Sequence, residues 1–303
     1  MNMEEKKLTV IILTYNTQSV IAKCLDCLDF ERYNVVVVDN NSKDNTVGLI
    51  ANNFKKVQVI QLPQNVGFSR ANNVAMRKVT TPFALILNPD AFITNDDIEK
   101  ILSKMEANPK VALAGPIVYS CDIENGKIIG EKLEKKYLGN TIKKDGDVLE
   151  VSFVLGAAMF VNMAHYKDIC NGDDFFDENF FLYCDDNELA KRVMKKGYKN
   201  IMVEGAKILH MSEKSSGVSN EASAFRRYWH RYGWSKCHYA RVTHGIFFGK
   251  LKALAIVLKS LILMGKDILS GKKITVLSKA MFFGAGSYLI GLSAFNKDGT
   301  SRA

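Results

Sequence analysis

The sequence predicts an α/β fold built on a mostly parallel sheet flanked by helices, followed by a basic amphipathic helical region. Three observations predict it. Short apolar, β-branched runs alternate with helix-compatible stretches from Leu8 to Leu87, a spacing that demands right-handed crossovers between parallel strands. The runs stop at Thr14-Tyr15-Asn16, Asp39-Asn40-Asn41-Ser42, Pro63 and Asn88-Pro89-Asp90, all of them turn chemistry. The charge is also uneven. Residues up to Phe225 hold 27 basic and 30 acidic side chains, whereas 14 basic and 2 acidic follow from Arg226 onward. That asymmetry marks a boundary and an anionic partner for the later part, either nucleic acid or an anionic membrane surface.

Leu8 to Leu13 reads as a buried strand, and Ser19 is the expected N-cap of a helix over Val20 to Leu28. Val35 to Val38 forms the second strand, and Asp44 or Ser42 caps a helix reaching about Phe54. Val57 to Leu62 is the third strand and Gly67 to Lys78 a helix. Phe83 to Leu87 is a fourth strand, apolar enough to be buried on both faces. It must end at Asn88, because Pro89 cannot donate a ladder hydrogen bond and pushes its predecessor out of helical geometry. Asp96 to Glu106 is a surface helix and Val111 to Val118 another strand; 120–150 is polar, with a hairpin signal at Asp145-Gly146. Val151 to Val161 is an apolar run whose central Gly156 implies close backbone approach. After an acidic loop over Asp173 to Asn179, Asp185 and Asp186 open a helix that closes at Gly197. Lys207 to His210 is a short strand ending in a histidine.

Tyr15, Asp39 and Asp90 all follow strand ends, so they share one rim, where open α/β sheets bind ligands. A carboxylate such as Asp90 can hold a divalent cation there, and the cation a phosphate. Asn88-Pro89-Asp90 as a mere turn stays open on these residues alone. The chain has no G-x-G-x-x-G after its first strand and no G-x-x-x-x-G-K-[ST], which argues against a standard dinucleotide fold and a P-loop NTPase. A rim of carboxylates and amides suits a nucleotide whose diphosphate is held through a metal. Asp185 and Asp186 have a capping role open to them, yet they directly follow the apolar-aromatic run Phe180 to Tyr183, which anchors them in a cleft. His210 is a candidate ligand because it ends a strand beside the rim. The Ser- and Gly-rich loop 212–224 is either a connector or a lid. Six cysteines are scattered through a chain in which we read no secretory signal, so reduced thiols are expected. Cys24 and Cys27 lie inside a helix rather than at its start, and no second pair completes a zinc site.

Several pieces together resemble the family 2 glycosyltransferases of the GT-A fold, and most of all their rhamnosyltransferase-like branch. They are TYN at 14–16, VVVVDNNSKDNT at 35–46, QNVGFSRANN at 64–73, LILNPDA at 85–91, FFLYCDDNELAKRVMKKGY at 180–198 and HMSEKSSG at 210–217. The resemblance covers about residues 8–230, and the ordered set is specific where each motif alone is weak. It implies that Thr14, Tyr15, Asn16, Asp39, Asn65, Arg70 and Asn88 bind the donor: Asp39 and Tyr15 at the nucleobase or ribose, Arg70 at the diphosphate. It implies Mn2+ or Mg2+ on Asp90, completed by His210, and Asp186 as general base with Asp185 beside it. Asn88 stands where the family has the first acid of D-x-D, and Asp185 where it has Glu. The first departure removes an anionic ligand; the second leaves the choice between Asp185 and Asp186 open.

Arginines interleave with Tyr and Trp from Phe225 to His244, which fits single-stranded nucleic acid or a membrane interface. The segment beyond His244 favours the membrane. Lys252, Lys259, Lys266 and Lys273 recur every seven residues, and Leu251, Leu254, Leu258, Leu261, Ile262 and Leu269 mostly cover the other face. That is a basic helix suited to lying on a bilayer. Ala280 to Asn296 is uncharged but short for a span, and reads as a second interfacial or partly inserted segment. Packing on the catalytic domain, or a homo-oligomer interface, is the alternative for both.

The expected organisation is a glycosyltransferase domain over 1–225, with a nucleotide-sugar half over about 1–114 and an acceptor half over about 115–225, then a membrane-associating helical region over 226–303. The expected function is inverting transfer from dTDP-rhamnose, or from a UDP-hexose, to a polyprenyl-diphosphate-linked saccharide, without nucleic acid. The expected location is peripheral, at the cytoplasmic face of the cell membrane. A sugar-phosphate nucleotidyltransferase would need a Gly-rich phosphate loop near the N-terminus, and a nucleic-acid-binding protein would leave the rim acids without a purpose.

Overall fold

The computed structural model describes residues 5–124, 127–134, 141–211 and 220–303. The loop expected over 212–224, read as connector or lid, falls largely outside them, as does most of the HMSEKSSG motif. The chain divides into two compact units: Met1–Pro63, Ala71–Phe176 and Leu189–Gly217 form the first; Gln64–Arg70, Asp177–Glu188 and Val218–Ala303 form the second. This division differs from the boundary expected at 225/226 in giving two internal segments to the later unit.

The chain opens with β1 (Leu8–Thr14), α1 (Ile21–Asp26), β2 (Tyr33–Asp39), α2 (Thr46–Asn53), β3 (Gln58–Gln61), α3 (Gly67–Met76) and β4 (Phe83–Leu87). The strands pair in the order β3-β2-β1-β4, all parallel. β1 therefore borders β2 on one side and β4 on the other, and this reversal of strand order creates a crevice outside the strand ends. Next come β5 (Ala91–Ile93), α4 (Asn95–Ala107), β6 (Val111–Glu124), β7 (Lys127–Leu133), β8 (Thr141–Asp145), β9 (Val148–Val151), β10 (Ala158–Asn162), α5 (Tyr166–Ile169), α6 (Asp185–Lys195) and β11 (Lys199–His210). β10 adds to β4 antiparallel, and the sheet continues through β6, β11, β9 and β8. All five residues of β4 are buried, as expected for a strand covered on both faces.

Several expected boundaries shift, each for a local reason. Ser19 caps nothing: α1 starts from Val20 without a side-chain cap. Ser42 does not cap α2 either, because its hydroxyl and amide go to Asp39; Asp44 instead takes the Thr46 amide at 3.1 Å. Asp145-Gly146 does make the β8–β9 hairpin, with Gly146 at φ 59°. The apolar run 151–161 is not one strand: β9 ends at Val151, β10 begins at Ala158, and Gly156 lies in the turn between. The strand ending in His210 is twelve residues long rather than four, with a bulge between Val203 and Lys207.

The second unit is helical. α7 (Glu221–Tyr228), a π-helical turn (Trp229–Trp234) and α8 (Ser235–His244) run on without a break. Gly245, at φ 100°, ends them, and α9 (Ile246–Leu269) and α10 (Val276–Leu289) follow. Trp229, Trp234, Cys237, Ala253, Ile256, Ala280, Met281, Ala285 and Phe295 are core. A Cβ on Gly284 would stand 2.5 Å from the Trp229 carbonyl oxygen, so glycine is what lets α10 meet the π-helical turn. This corrects the expectation for 280–296. α10 buries its small-residue face in the core of the unit, although Phe283 and Ile290 remain exposed. Among the described residues no helix is long and apolar enough to cross a membrane.

Candidate active site

In the first unit the expected rim forms at the ends of β1, β2 and β4. The parallel register sets Thr14 opposite Asp39. Thr14 Oγ1 donates to Asp39 Oδ1 at 3.0 Å, Ser42 Oγ donates to the same oxygen at 2.6 Å, and the Ser42 amide donates to Oδ2 at 2.9 Å. Asp39 is buried and ties the two strand ends together. A carboxylate has about four acceptor positions, so room remains for one further donor. Asn16, at φ 55°, spends its amide on Ser42 and its side-chain oxygen on the Lys43 amide. Tyr15, between these anchored residues, is half-buried.

Asp90 and His210 meet because β5 pairs antiparallel with β11, which sets Ala91 opposite His210. His210 Nε2 stands 3.4 Å from Asp90 Oδ1, and both side chains are buried. The Met211 amide donates to the Asp90 carbonyl at 3.0 Å and closes the corner. A carboxylate oxygen beside an imidazole nitrogen fits Mn2+ or Mg2+, with diphosphate and water oxygens needed for the remaining positions. Cys24 lies nearby, its thiol directed to the Asn88 carbonyl at 3.7 Å. Burial first, then Cys27 and the Asp90 charge, push its thiol up. No cluster of three ligating side chains exists among the described residues. The backbone of Asn88 is spent: its amide donates to Ala157, and its carbonyl accepts from Ala91 and the Cys24 thiol.

In the second unit the acid pair is built on the start of α6. Tyr183 and Cys184 lie at φ 69° and 67°, a region where side chains carry a steric cost of about 1–2 kcal/mol each. The non-glycine residues with such backbone are Asn16, Asn41, Tyr183 and Cys184 among the described residues; Asn16 is itself an expected site residue, and the other three lie within two positions of Asp39 or Asp185. Strain of this kind gathers where geometry is held for function. The turn sends Asp185 inward and leaves Asp186 half-buried. Ser69 Oγ donates to Asp185 Oδ2 at 3.2 Å, and the Asp186 amide donates to Asp185 Oδ1 at 3.1 Å. Burial first, and the neighbouring Asp186 charge second, push the Asp185 carboxyl up to about 7. Asp186 Oδ1 accepts from the Asn187 amide and side chain, both at 2.8 Å.

Arg70 follows Ser69 on α3. Its Nε donates to the Glu178 carbonyl at 3.1 Å, and its guanidinium lies over the Phe295 ring at 3.6 Å. Asn65 accepts the Gly67 amide at 3.0 Å and so starts this helix. Gly67, at φ 84°, is required here, since a Cβ would stand 2.4 Å from the Phe181 carbonyl oxygen. Asp177, in the acidic loop, meets His238 Nε2 at 2.8 Å. Burial opposes ionisation of Asp177, but the His238 bond and charge prevail and hold it down to about 2. Thr14, Tyr15, Asn16, Asp39, Asn88, Asp90 and His210 thus belong to the first unit, and Asn65, Arg70, Asp185 and Asp186 to the second. Sequence reasoning missed Ser69, Glu178, His238 and Phe295. Ser69 sat inside the GFSRANN stretch beside Arg70; the others carry no local signal.

Residues 9–170 match the family model described as Glycosyl transferase family 2. The N-acetylglucosaminyl-diphospho-decaprenol L-rhamnosyltransferase of Mycobacterium tuberculosis is 21% identical over 242 residues, covering 69% of this chain and 78% of that protein. Rhamnosyltransferase WbbL of Escherichia coli is 25% identical over 243 residues, covering 73% and 88%. Among solved structures, the mannosyltransferase PcManGT of Pyrobaculum calidifontis, in complex with GDP-Man and Mn2+, matches with a TM-score of 0.56 at 15% identity, over 95% of this chain and 88% of that one. The half-parallel sheet with its flanking helices is the GT-A fold, and the protein is a glycosyltransferase. The chain belongs to glycosyl transferase family 2.

Proposed function

We propose that this glycosyltransferase moves a sugar from a nucleotide-sugar to a lipid-linked saccharide, with inversion, during bacterial surface polysaccharide synthesis. Rhamnose from dTDP-rhamnose is the favoured donor and a UDP-hexose the rival. The likeness to two rhamnosyltransferases supports the donor, and the diphospho-decaprenol acceptor in the name of one supports the acceptor class.

The observation that carries the reading is the unequal acid pair. Asp185 is buried, bonded to Ser69 and kept partly protonated at neutral pH, whereas Asp186 is the more accessible carboxylate. A general base must be ionised and within reach of the proton it takes. Asp186 accepts the proton of the acceptor hydroxyl as that oxygen bonds to the anomeric carbon. The bond from the anomeric carbon to the diphosphate oxygen breaks on the opposite face, and its electron pair leaves with the nucleoside diphosphate. Arg70 binds the diphosphate. Tyr15 and Asp39 hold the base or ribose, with Thr14, Asn16, Asn65 and Asn88 shaping their loops. Asp90 and His210 would hold Mn2+ or Mg2+, which when bound supplies positive charge to the diphosphate.

The anionic membrane surface is the partner proposed for α9. Gly249, Ala253, Ile256 and Ser260 are its buried face. At 3.6 residues per turn, Phe247, Leu251, Leu254, Leu258, Ile262 and Leu269 fall on the opposite side, all exposed. Lys252, Lys259 and Lys266 run along the flank; Lys273 lies past the helix end. An outward apolar stripe beside a lysine row fits the interface of an anionic bilayer. It supports the peripheral location proposed here, at the cytoplasmic face of the cell membrane.

The test is a donor panel scored for nucleoside diphosphate release with a polyprenyl-diphosphate saccharide. Release and glycolipid formation with dTDP-rhamnose are expected. Glycolipid from a UDP-hexose alone would transfer the reading to the rival donor, and no glycolipid from any donor would overturn it.

A further inference from the structure

We infer that Phe295 is a positioning residue for Arg70: it fixes the plane of the guanidinium so that its outer fork is presented to the donor diphosphate. This rests on the proposed role of Arg70. The guanidinium carbon lies 3.6 Å from the centre of the Phe295 ring, and Nε is held by the Glu178 carbonyl at 3.1 Å with the Glu178 carboxylate at 4.0 Å. One face and one edge of the group are therefore spent. The two Nη groups make no hydrogen bond among the described residues. A planar fork with free parallel donors matches two phosphate oxygens.

The ring is itself immobile. Phe295 is 4% exposed and meets the Phe181 ring edge-on at 5.6 Å. The segment Ala294–Ala303 folds back on itself: Phe295 bridges Ser301, the Arg302 amide donates to the Ala294 carbonyl at 2.9 Å, and Arg302 Nη2 donates to the Phe295 carbonyl at 2.8 Å. Ser301 Oγ is bonded to His230 Nε2 at 3.0 Å, and the His230 ring stacks on Phe181 at 4.9 Å. The same segment meets the chain just before Arg70 a second time, where Gln64 Nε2 donates to the Asp298 carbonyl. A long, rotamer-rich arginine pinned on both sides loses little freedom when it binds an anion, and the ring adds attraction for the cation. A core phenylalanine would need none of this alignment with a half-exposed arginine.

The experiment measures dTDP, UDP, GDP and inorganic diphosphate binding by calorimetry with Mn2+ present. It compares wild type, Arg70→Ala, Phe295→Leu, Phe295→Trp and the Arg70→Ala/Phe295→Leu double variant, with melting temperatures alongside. Phe295→Leu keeps an apolar side chain but removes the ring. We expect it to weaken binding about tenfold in a protein that still melts well above the assay temperature, Phe295→Trp to restore most of it, and the double variant to be no worse than Arg70→Ala. Unchanged affinity in Phe295→Leu with a loss in Arg70→Ala would overturn the positioning role. So would additive losses in the double variant, or losses that follow the melting temperature. Unchanged affinity in Arg70→Ala, or no binding by the wild type, would instead overturn the reading of Arg70 on which it rests.

Discussion

Ser69 and Asp185, 116 residues apart in the chain, share a buried hydrogen bond of 3.2 Å. The bond joins the first turn of α3 to the first turn of α6, so the arginine after Ser69 and the acid after Asp185 are set by one contact. Asp185 is the anchor of this pair, and Asp186, the proposed base, is the more accessible of the two.

The pH dependence of stability follows from Asp185. Its carboxyl titrates at about 7 in the folded chain, against about 4 when unfolded. The folded state thus binds more protons between these values, and stability falls as pH rises through that window. Asp185→Asn removes the penalty while leaving an acceptor for Ser69. Its melting temperature should exceed that of wild type by about 5 °C or more at pH 8 and by little at pH 4.5. Thermal scans at both pH values check this, and an equal shift at both would contradict it.

The Asp177–His238 contact acts in the other direction. Asp177 is held down to about 2, so its contribution is present above pH 4 and lost as pH falls toward 2. His238→Phe should be clearly less stable than wild type at pH 6, and the gap should narrow below pH 3. Urea unfolding across that range checks it; a constant gap would show that His238 acts only by packing.

Metal dependence should divide between two residues. Asp90→Asn should abolish activation by Mn2+, whereas His210→Ala should raise the Mn2+ concentration for half-maximal activity about tenfold, within the range for loss of one ligand-shell contact. Metal titrations of activity check both. Unchanged titrations would leave the 3.4 Å pair a structural one.

Membrane attachment should fail when α9 is made polar. The Leu258→Glu/Ile262→Glu variant should lose co-sedimentation with vesicles containing phosphatidylglycerol at unchanged melting temperature, because both side chains are already exposed. Replacing Lys252, Lys259 and Lys266 with Gln should weaken attachment most at low salt. Wild-type dimers that dissociate in the Leu258→Glu/Ile262→Glu variant, with vesicle binding intact, would instead make the stripe an interface between copies.

Much of the first unit was legible because its signals are local. The apolar runs, Asp145-Gly146 and the Asn-Pro-Asp break each act within a few residues, and Phe83 to Leu87 matches β4 residue for residue. What was not legible depends on partners distant in the chain. β11 extends back to Lys199 because β6 and β9 pair with it. α10 resembled an interfacial segment until Gly284 met the π-helical turn. The Asp90–His210 pair was expected as a metal site, but only the β5–β11 register explains how the two side chains meet. Phe295 carried no signal, since nothing near it in sequence points to Arg70.

Asp186→Asn tests the central claim most directly, with transfer and donor binding measured on the same preparation. Sugar transfer from dTDP-rhamnose to the polyprenyl-diphosphate saccharide should fall by about a thousandfold, the scale of a lost general base, while nucleoside diphosphate affinity stays within about twofold, since the acid does not hold the donor. Transfer within tenfold of wild type, or an equal loss of donor affinity, would contradict the assignment of Asp186 as the base.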